Sequence, residues 1–130
     1  MDLILTHPAE ELRPLAVRAL QQLEGRVEAH QVTEQNDVSE ITQMLSYAAG
    51  SRGFHICIDG LLGMAFSPPL RAPFASLIEA VNKFEAINLR ASVDLPSGKG
   101  DGVKNDTISF QADFTYALSL IHISEPTRPY

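Results

Sequence analysis

Along this chain the spacing of apolar residues switches repeatedly between two periods, and that switching leaves few folds open. Leu3-Ile4-Leu5 is a short apolar run of the kind a buried strand makes. After His7-Pro8-Ala9-Glu10-Glu11, a turn, the residues Leu12, Leu15, Ala16, Ala19, Leu20 and Leu23 recur at intervals of three and four. That spacing gives one apolar face of a helix. Pro14 suits its first turn and Gly25 its carboxyl cap. A weak strand over Val27–Val32 comes next. The following helix carries Ile41, Met44, Leu45 and Ala48 as its stripe and stops at Gly50. Asp37 and Glu40 have capping-box spacing at its start, with Ser39 a rival cap.

The alternation then continues. Phe54-His55-Ile56-Cys57-Ile58-Asp59 reads as a strand ending on a carboxylate, followed by a loop from Gly60 to Leu70 rich in glycine and proline. Pro73 opens a helix whose Phe74, Leu77, Ile78, Val81 and Phe84 point one way. Leu89–Val93 is a strand that again ends on an aspartate, Asp94; Pro96–Asp106 is a glycine-rich loop and Ile108–Tyr116 a last strand. Strands alternating with helices imply right-handed crossovers and a mostly parallel sheet between helical layers. In such α/β folds ligands bind beyond the carboxyl ends of the strands, so Asp59 and Asp94 are expected to open into one crevice.

Composition narrows the function classes. Ten Lys+Arg against 16 Asp+Glu give a net charge of −6, with no basic cluster to meet phosphates. Nucleic acid and anionic membrane are therefore not the expected partners. The single Cys57 cannot form an internal disulfide, no apolar run approaches the roughly 18 residues of a membrane span, and Met1-Asp2-Leu3 does not open a signal peptide. A soluble cytoplasmic protein is expected.

Residue types offer two places for chemistry. In Val93-Asp94-Leu95-Pro96-Ser97-Gly98 a strand-end carboxylate can act as a general acid and base, with Ser97 adding an oxygen nearby. The same residues also make an ordinary turn. Asp59 with Gly60-Leu61-Leu62-Gly63 can hold a cation through oxygen or simply bond its own loop. Gly98-Lys99-Gly100-Asp101-Gly102 lacks the ending and the following helix of a phosphate loop and reads as a connection. His7, His30, His55 and His122 show no ligand spacing, so a zinc site is not expected, and Cys57 reads as a buried, inert thiol.

Taken in order, Asp59-Gly60-Leu61-Leu62-Gly63, then Leu70-Arg71-Ala72-Pro73-Phe74-Ala75-Ser76-Leu77-Ile78, then Ser92-Val93-Asp94-Leu95-Pro96-Ser97-Gly98 resemble the NAD(P)H-hydrate epimerase family (the YjeF N-terminal domain). Ala112-Asp113-Phe114-Thr115 is similar to that family's Ala-Asp-x-Thr strand. The resemblance implies a Rossmann-like three-layer αβα sandwich, incomplete at both ends. It also implies an isomerase that interconverts the R and S hydrates of NADH and NADPH in cofactor repair, working beside a dehydratase and as a homodimer. By position, Asp59 and Ser97 match the family's potassium ligands. Gly63, Met64, Ala65, Phe66, Ser67, Pro68 and Pro69 match its substrate loop. Asp94 matches the carboxylate that binds substrate and catalyses.

The chain also departs from the family. The first strand and the Asn-Asn-Gly-Gly-Asp-Gly turn that cradles phosphates are missing, and Ser67 stands where some members have lysine. From Leu118 the sequence resembles a translated sequencing adapter. Residues 1–117 are thus expected to be a partial epimerase domain and 118–130 a non-native tail, with the chain alone poorly active. A non-catalytic ligand-binding or scaffold module on the same fold, as reused in messenger-RNA decay assemblies, is the alternative. An unrelated nucleotide-binding function is a third.

Overall fold

The computed structural model describes residues 1–62, 67–99 and 108–117. The chain folds as an open, parallel α/β structure of the Rossmann-like kind, with its described strands in two sheets. Strand β1 (Asp2–Leu5) pairs in parallel with β2 (Glu28–Gln31), and helix α1 (Pro14–Gln22) crosses between them. Helix α2 (Val38–Ala49) then leads to β3 (Phe54–Asp59), and α3 (Phe74–Lys83) links β3 to β4 (Ile87–Val93). A short β5 (Phe114–Tyr116) completes the order β3-β4-β5, again all parallel.

Local chemistry explains most of the boundaries. Asp37 is the cap of α2: its carboxylate accepts from the Glu40 N–H at 2.8 Å, and the Glu40 side chain accepts from the Asp37 N–H at 3.3 Å. This closes the capping box and settles the rivalry with Ser39. Gly50, at φ 57°, ends the helix in a conformation that side chains disfavour. Pro14 occupies the first turn of α1, but the cap at the other end is Leu23, and Gly25 serves a turn two residues later at φ 80°.

One expectation is corrected and one is qualified. The apolar stripe of α1 is only partly covered: no residue of that helix is fully buried, Leu20 is half-buried and Leu15 is 78% exposed. The last strand is also far shorter than Ile108–Tyr116, because the Asn82 side chain and isolated main-chain bonds to Ser97 and Arg90, rather than a continuous ladder, satisfy the backbone before Phe114. Asn82 on α3 donates to the Ser109 carbonyl at 2.8 Å and accepts from the Gln111 N–H at 2.9 Å. The Asp113 carboxylate accepts from the Arg90 N–H at 2.7 Å, midway along β4 and just before β5 begins.

The core lies under α2 and α3. Ile41 and Leu45 of α2 meet Leu77, Ile78, Ala80 and Val81 of α3, with Val32, Ile87 and Phe110. Ile4 of β1 and Phe54 and Cys57 of β3 pack against the same cluster, so one apolar layer ties both sheets together. Within the described residues, β1 bonds only β2 and β3 bonds only β4, which leaves one edge of each open.

Candidate functional site at the strand ends

The site begins with the register of β3 on β4. Asp59, the last residue of β3, lies opposite Ser92, so Asp94 stands two residues beyond it at the same end of the sheet. That is the placement expected from the alternation of strands and helices. Ser97 follows on the turn after β4, and here the two aspartate-bearing loops meet.

Asp59 is 3% exposed and Ser97 1% exposed. The Ser97 backbone N–H donates to Asp59 Oδ2 at 2.7 Å, and the Ser97 hydroxyl donates to Asp59 Oδ1 at 2.6 Å. The Leu61 N–H adds a third bond to Oδ1 at 3.2 Å, and the Leu62 N–H donates to the Ser97 hydroxyl at 3.0 Å. A buried carboxylate normally needs a cationic partner or several donors. Asp59 has the donors: among the described residues no lysine or arginine forms an ion pair with it. The knot is not a bare turn, since it joins residues 38 apart in sequence.

Asp94 is positioned by backbone geometry. Its φ of 69° lies in the left-handed region, where a non-glycine residue stores strain. Its N–H donates to the Tyr116 carbonyl at 2.8 Å, so β5 fixes its main chain. Beside it, Ser92 is 1% exposed and its hydroxyl lies 2.6 Å from the Thr115 hydroxyl across the strand pair. Thr115 belongs to the Ala112-Asp113-Phe114-Thr115 segment, and this contact gives that threonine a reason to be there.

Gly98 holds the other side of the knot. Its φ is 95°, and a Cβ there would fall 2.6 Å from the Ile108 carbonyl oxygen and 3.0 Å from Ser109 Cα. The Ser97 carbonyl accepts from the Phe110 N–H at 2.8 Å, so the return segment is stitched directly under the site. Only a residue without a side chain permits that approach.

Of the proposed substrate loop, Gly63, Met64, Ala65 and Phe66 lie outside the described residues, while Ser67, Pro68 and Pro69 are exposed. A hollow of 360 Å³ between α2 and the segment Lys83–Ala86 includes none of the residues named so far at the strand ends. Cys57 sits two residues before Asp59 on β3 and packs against the core; burial pushes its thiol pKa up, with Arg90 pulling down and Asp59 adding to the rise.

The oxygens gathered here suit a hard cation better than a soft one: a carboxylate and a hydroxyl, with no sulfur or imidazole among them. Three of the roughly four acceptor positions of an ionised carboxylate are taken, which leaves Asp59 room for one further partner. Asp59 and Ser97 are thus oxygen donors of the kind that could hold a hard cation such as potassium.

Fold and site together define an open parallel α/β protein that collects carboxylate chemistry beyond the ends of adjacent strands. The chain belongs to the family described as YjeF-related protein N-terminus, which matches residues 1–123. It is 43% identical over 65 residues to the NAD(P)H-hydrate epimerase of Rhodopirellula baltica, covering 49% of this chain and 26% of that protein. It is 36% identical over 83 residues to the NAD(P)H-hydrate epimerase of Elusimicrobium minutum, covering 62% of this chain and 37% of that protein. The matched part is thus well under half the length of either relative. No solved structure matches significantly.

Proposed function

We propose that this chain is part of an NAD(P)H-hydrate epimerase, with Asp94 as the acid and base, Asp59 and Ser97 as potassium ligands, and residues 63–69 lining the substrate. Its relatives' names support the reaction, and the observation that carries the site is the buried Asp59–Ser97 knot, set two residues of sheet away from Asp94. A scaffold has no use for a buried carboxylate held without a cationic side chain beside a strained one.

The reaction inverts the hydroxyl-bearing carbon next to the ring nitrogen of a hydrated nicotinamide. Protonated Asp94 gives its proton to the hydroxyl as the carbon–oxygen bond breaks and water leaves. The nitrogen lone pair supplies the electrons. Water then adds to the opposite face, and Asp94 takes the proton back, so atoms and charge balance. General acid–base help of this kind contributes about 10²–10⁴-fold. Bound potassium supplies charge that offsets the neighbouring carboxylates and steadies both loops. The strained backbone of Asp94 fixes where its carboxyl is presented.

With this reading go a small-molecule substrate, a cytoplasmic setting, a homodimer and a dehydratase acting on the product. It also makes residues 1–117 a partial domain, the open edges of β1 and β3 being where a further strand would pair. No helix among the described residues is long and apolar enough to cross a membrane.

The test uses the protein encoded by the whole parent gene and purified R-hydrate, with epimerisation followed by chromatography. Asp94→Asn is expected to lower turnover at least about 100-fold, and Asp59→Asn to raise the potassium concentration needed for half-maximal rate. The 130-residue chain alone is expected to be nearly inactive. Full activity of Asp94→Asn would remove the acid–base role, and rapid turnover by the 130-residue chain would remove the partial-domain reading.

A further inference from the structure

Near the amino ends of β1 and β2 lies a set of side chains of metal-ligating type that the epimerase reading does not use. The parallel register sets Asp2 directly opposite Glu28 and Ile4 opposite His30, so Asp2, Glu28 and His30 share one face of the strand pair. One donor atom from each falls within 4.8 Å of the others, and His30 Nε2 is 3.0 Å from Asp2 Oδ1. We propose that Asp2, Glu28 and His30 form a site for a divalent transition-metal ion of the zinc type.

Three observations lead there. The donors are one imidazole nitrogen and two carboxylates, the mixture borderline cations such as zinc prefer over calcium or magnesium. The spacing of the two covered donors is right as well. Two ligands about 2.0–2.1 Å from a tetrahedral zinc stand roughly 3.3 Å apart, so the 3.0 Å between His30 and Asp2 needs little adjustment. Finally, the sheet brings two carboxylates face to face, and like charges directly opposite each other are unfavourable. Among the described residues no lysine, arginine or amino terminus forms an ion pair with either of them. A simple Asp2–His30 pair would explain two of the residues and leave Glu28 unexplained. A cation explains all three.

Access and rigidity are divided between the ligands. Asp2 and His30 are largely covered, at 24% and 15% side-chain exposure, so their geometry is held by the strands. Glu28 is exposed and can close over an arriving ion, with water in the fourth position. The Asp59–Ser97 knot sits instead at the carboxyl ends of β3 and β4 and shares no residue with this triad, so the proposal stands whether or not the epimerase reading does.

The test is a titration of the untagged, chelator-stripped 130-residue protein with Zn²⁺ by calorimetry and with Co²⁺ by visible absorption. One ion per chain is expected, with tetrahedral cobalt bands and no thiolate charge-transfer band, which separates this site from Cys57. His30→Asn and Glu28→Gln are each expected to weaken binding at least about 10-fold, the lower bound for losing even a residue that supports a ligand. Glu28→Gln is an exposed, isosteric change, so its effect does not depend on refolding. Absence of saturable binding overturns the proposal, and so does affinity that survives both substitutions.

Discussion

The two faces of the β3-β4-β5 sheet carry comparable apolar content and meet opposite surroundings. On one face Cys57 and Arg90 are cross-strand partners covered by the α3 layer, and Ser92 beside them is buried. On the other, Ile56 pairs with Leu89, Ala91 with Phe114 and Val93 with Tyr116. There Ile56, Ile58, Leu89, Phe114 and Tyr116 are between 37% and 65% exposed, although the small Ala91 among them is buried and Ile87 at the start of β4 reaches the core. A strand such as Ile56-Cys57-Ile58, apolar on consecutive residues, is the pattern of a parallel strand meant for burial on both sides. Apolar character therefore marks what a face is suited to meet, while burial records only what meets it.

The largest expected effect contrasts truncations in the covered layer and on the bare face. Leu45→Ala removes a side chain 5% exposed in the core between α2 and α3 and should cost about 2–5 kcal/mol. Ile58→Ala, at 65% exposure, should stay within about 0.5 kcal/mol. Urea unfolding of both variants of the 130-residue chain checks this. A multi-kilocalorie loss for Ile58→Ala would mean that the second face is covered in solution, and the contrast between the faces would collapse.

A middle-sized effect lies within β4 itself, in neighbouring residues that point to opposite sides. Arg90 reaches under α3 and donates to the Val81 carbonyl at 3.0 Å and to the Phe84 carbonyl, so its charge also sits at the carboxyl end of that helix. Arg90→Met keeps most of the packing and removes those charged bonds, which should cost about 1.5–3 kcal/mol. Leu89→Ser on the open face should be close to neutral. Equal losses for the two would show that Arg90 acts by packing alone.

How much of this was legible in the sequence follows the same division. Strand β3, the capping box at Asp37 and the stripe of α3 were readable because each is decided by residues within a turn or two of one another. The stripe of α1 was readable as amphipathic but not as only partly covered, since no local residue says whether a partner is present. The shortening of the last strand was invisible because Asn82, far away in sequence, takes up the Ser109 carbonyl and the Gln111 N–H. The site divides likewise. Asp59 and Asp94 stood out as strand-end carboxylates, and family resemblance linked Asp59 to Ser97, but the three hydrogen bonds that bury Asp59 exist only once β3 and β4 are in register. The triad of Asp2, Glu28 and His30 had no spacing to betray it, because parallel pairing brings it together across a helix.

The smallest effect tests the faces with one kind of atom. Cys57 points into the covered layer, where burial raises its thiol pKa more than Arg90 lowers it. At pH 8 it should hold almost no thiolate and react slowly with iodoacetamide, since the thiolate is the nucleophile. A cysteine placed one residue on, as Ile58→Cys in a Cys57→Ser background, should react at the rate of a free thiol. The raised value also has a sign in stability. The folded chain keeps Cys57 protonated where the unfolded chain does not, so its contribution is whole below the ordinary thiol range. It is lost as pH climbs through that range toward the folded value. Wild type should therefore lose stability faster than Cys57→Ser above about pH 9, as a modest difference in denaturation midpoint. If both cysteines were alkylated equally fast, the layer under α3 would be open to water on the timescale of the reaction, and the two faces would differ in the static structure alone.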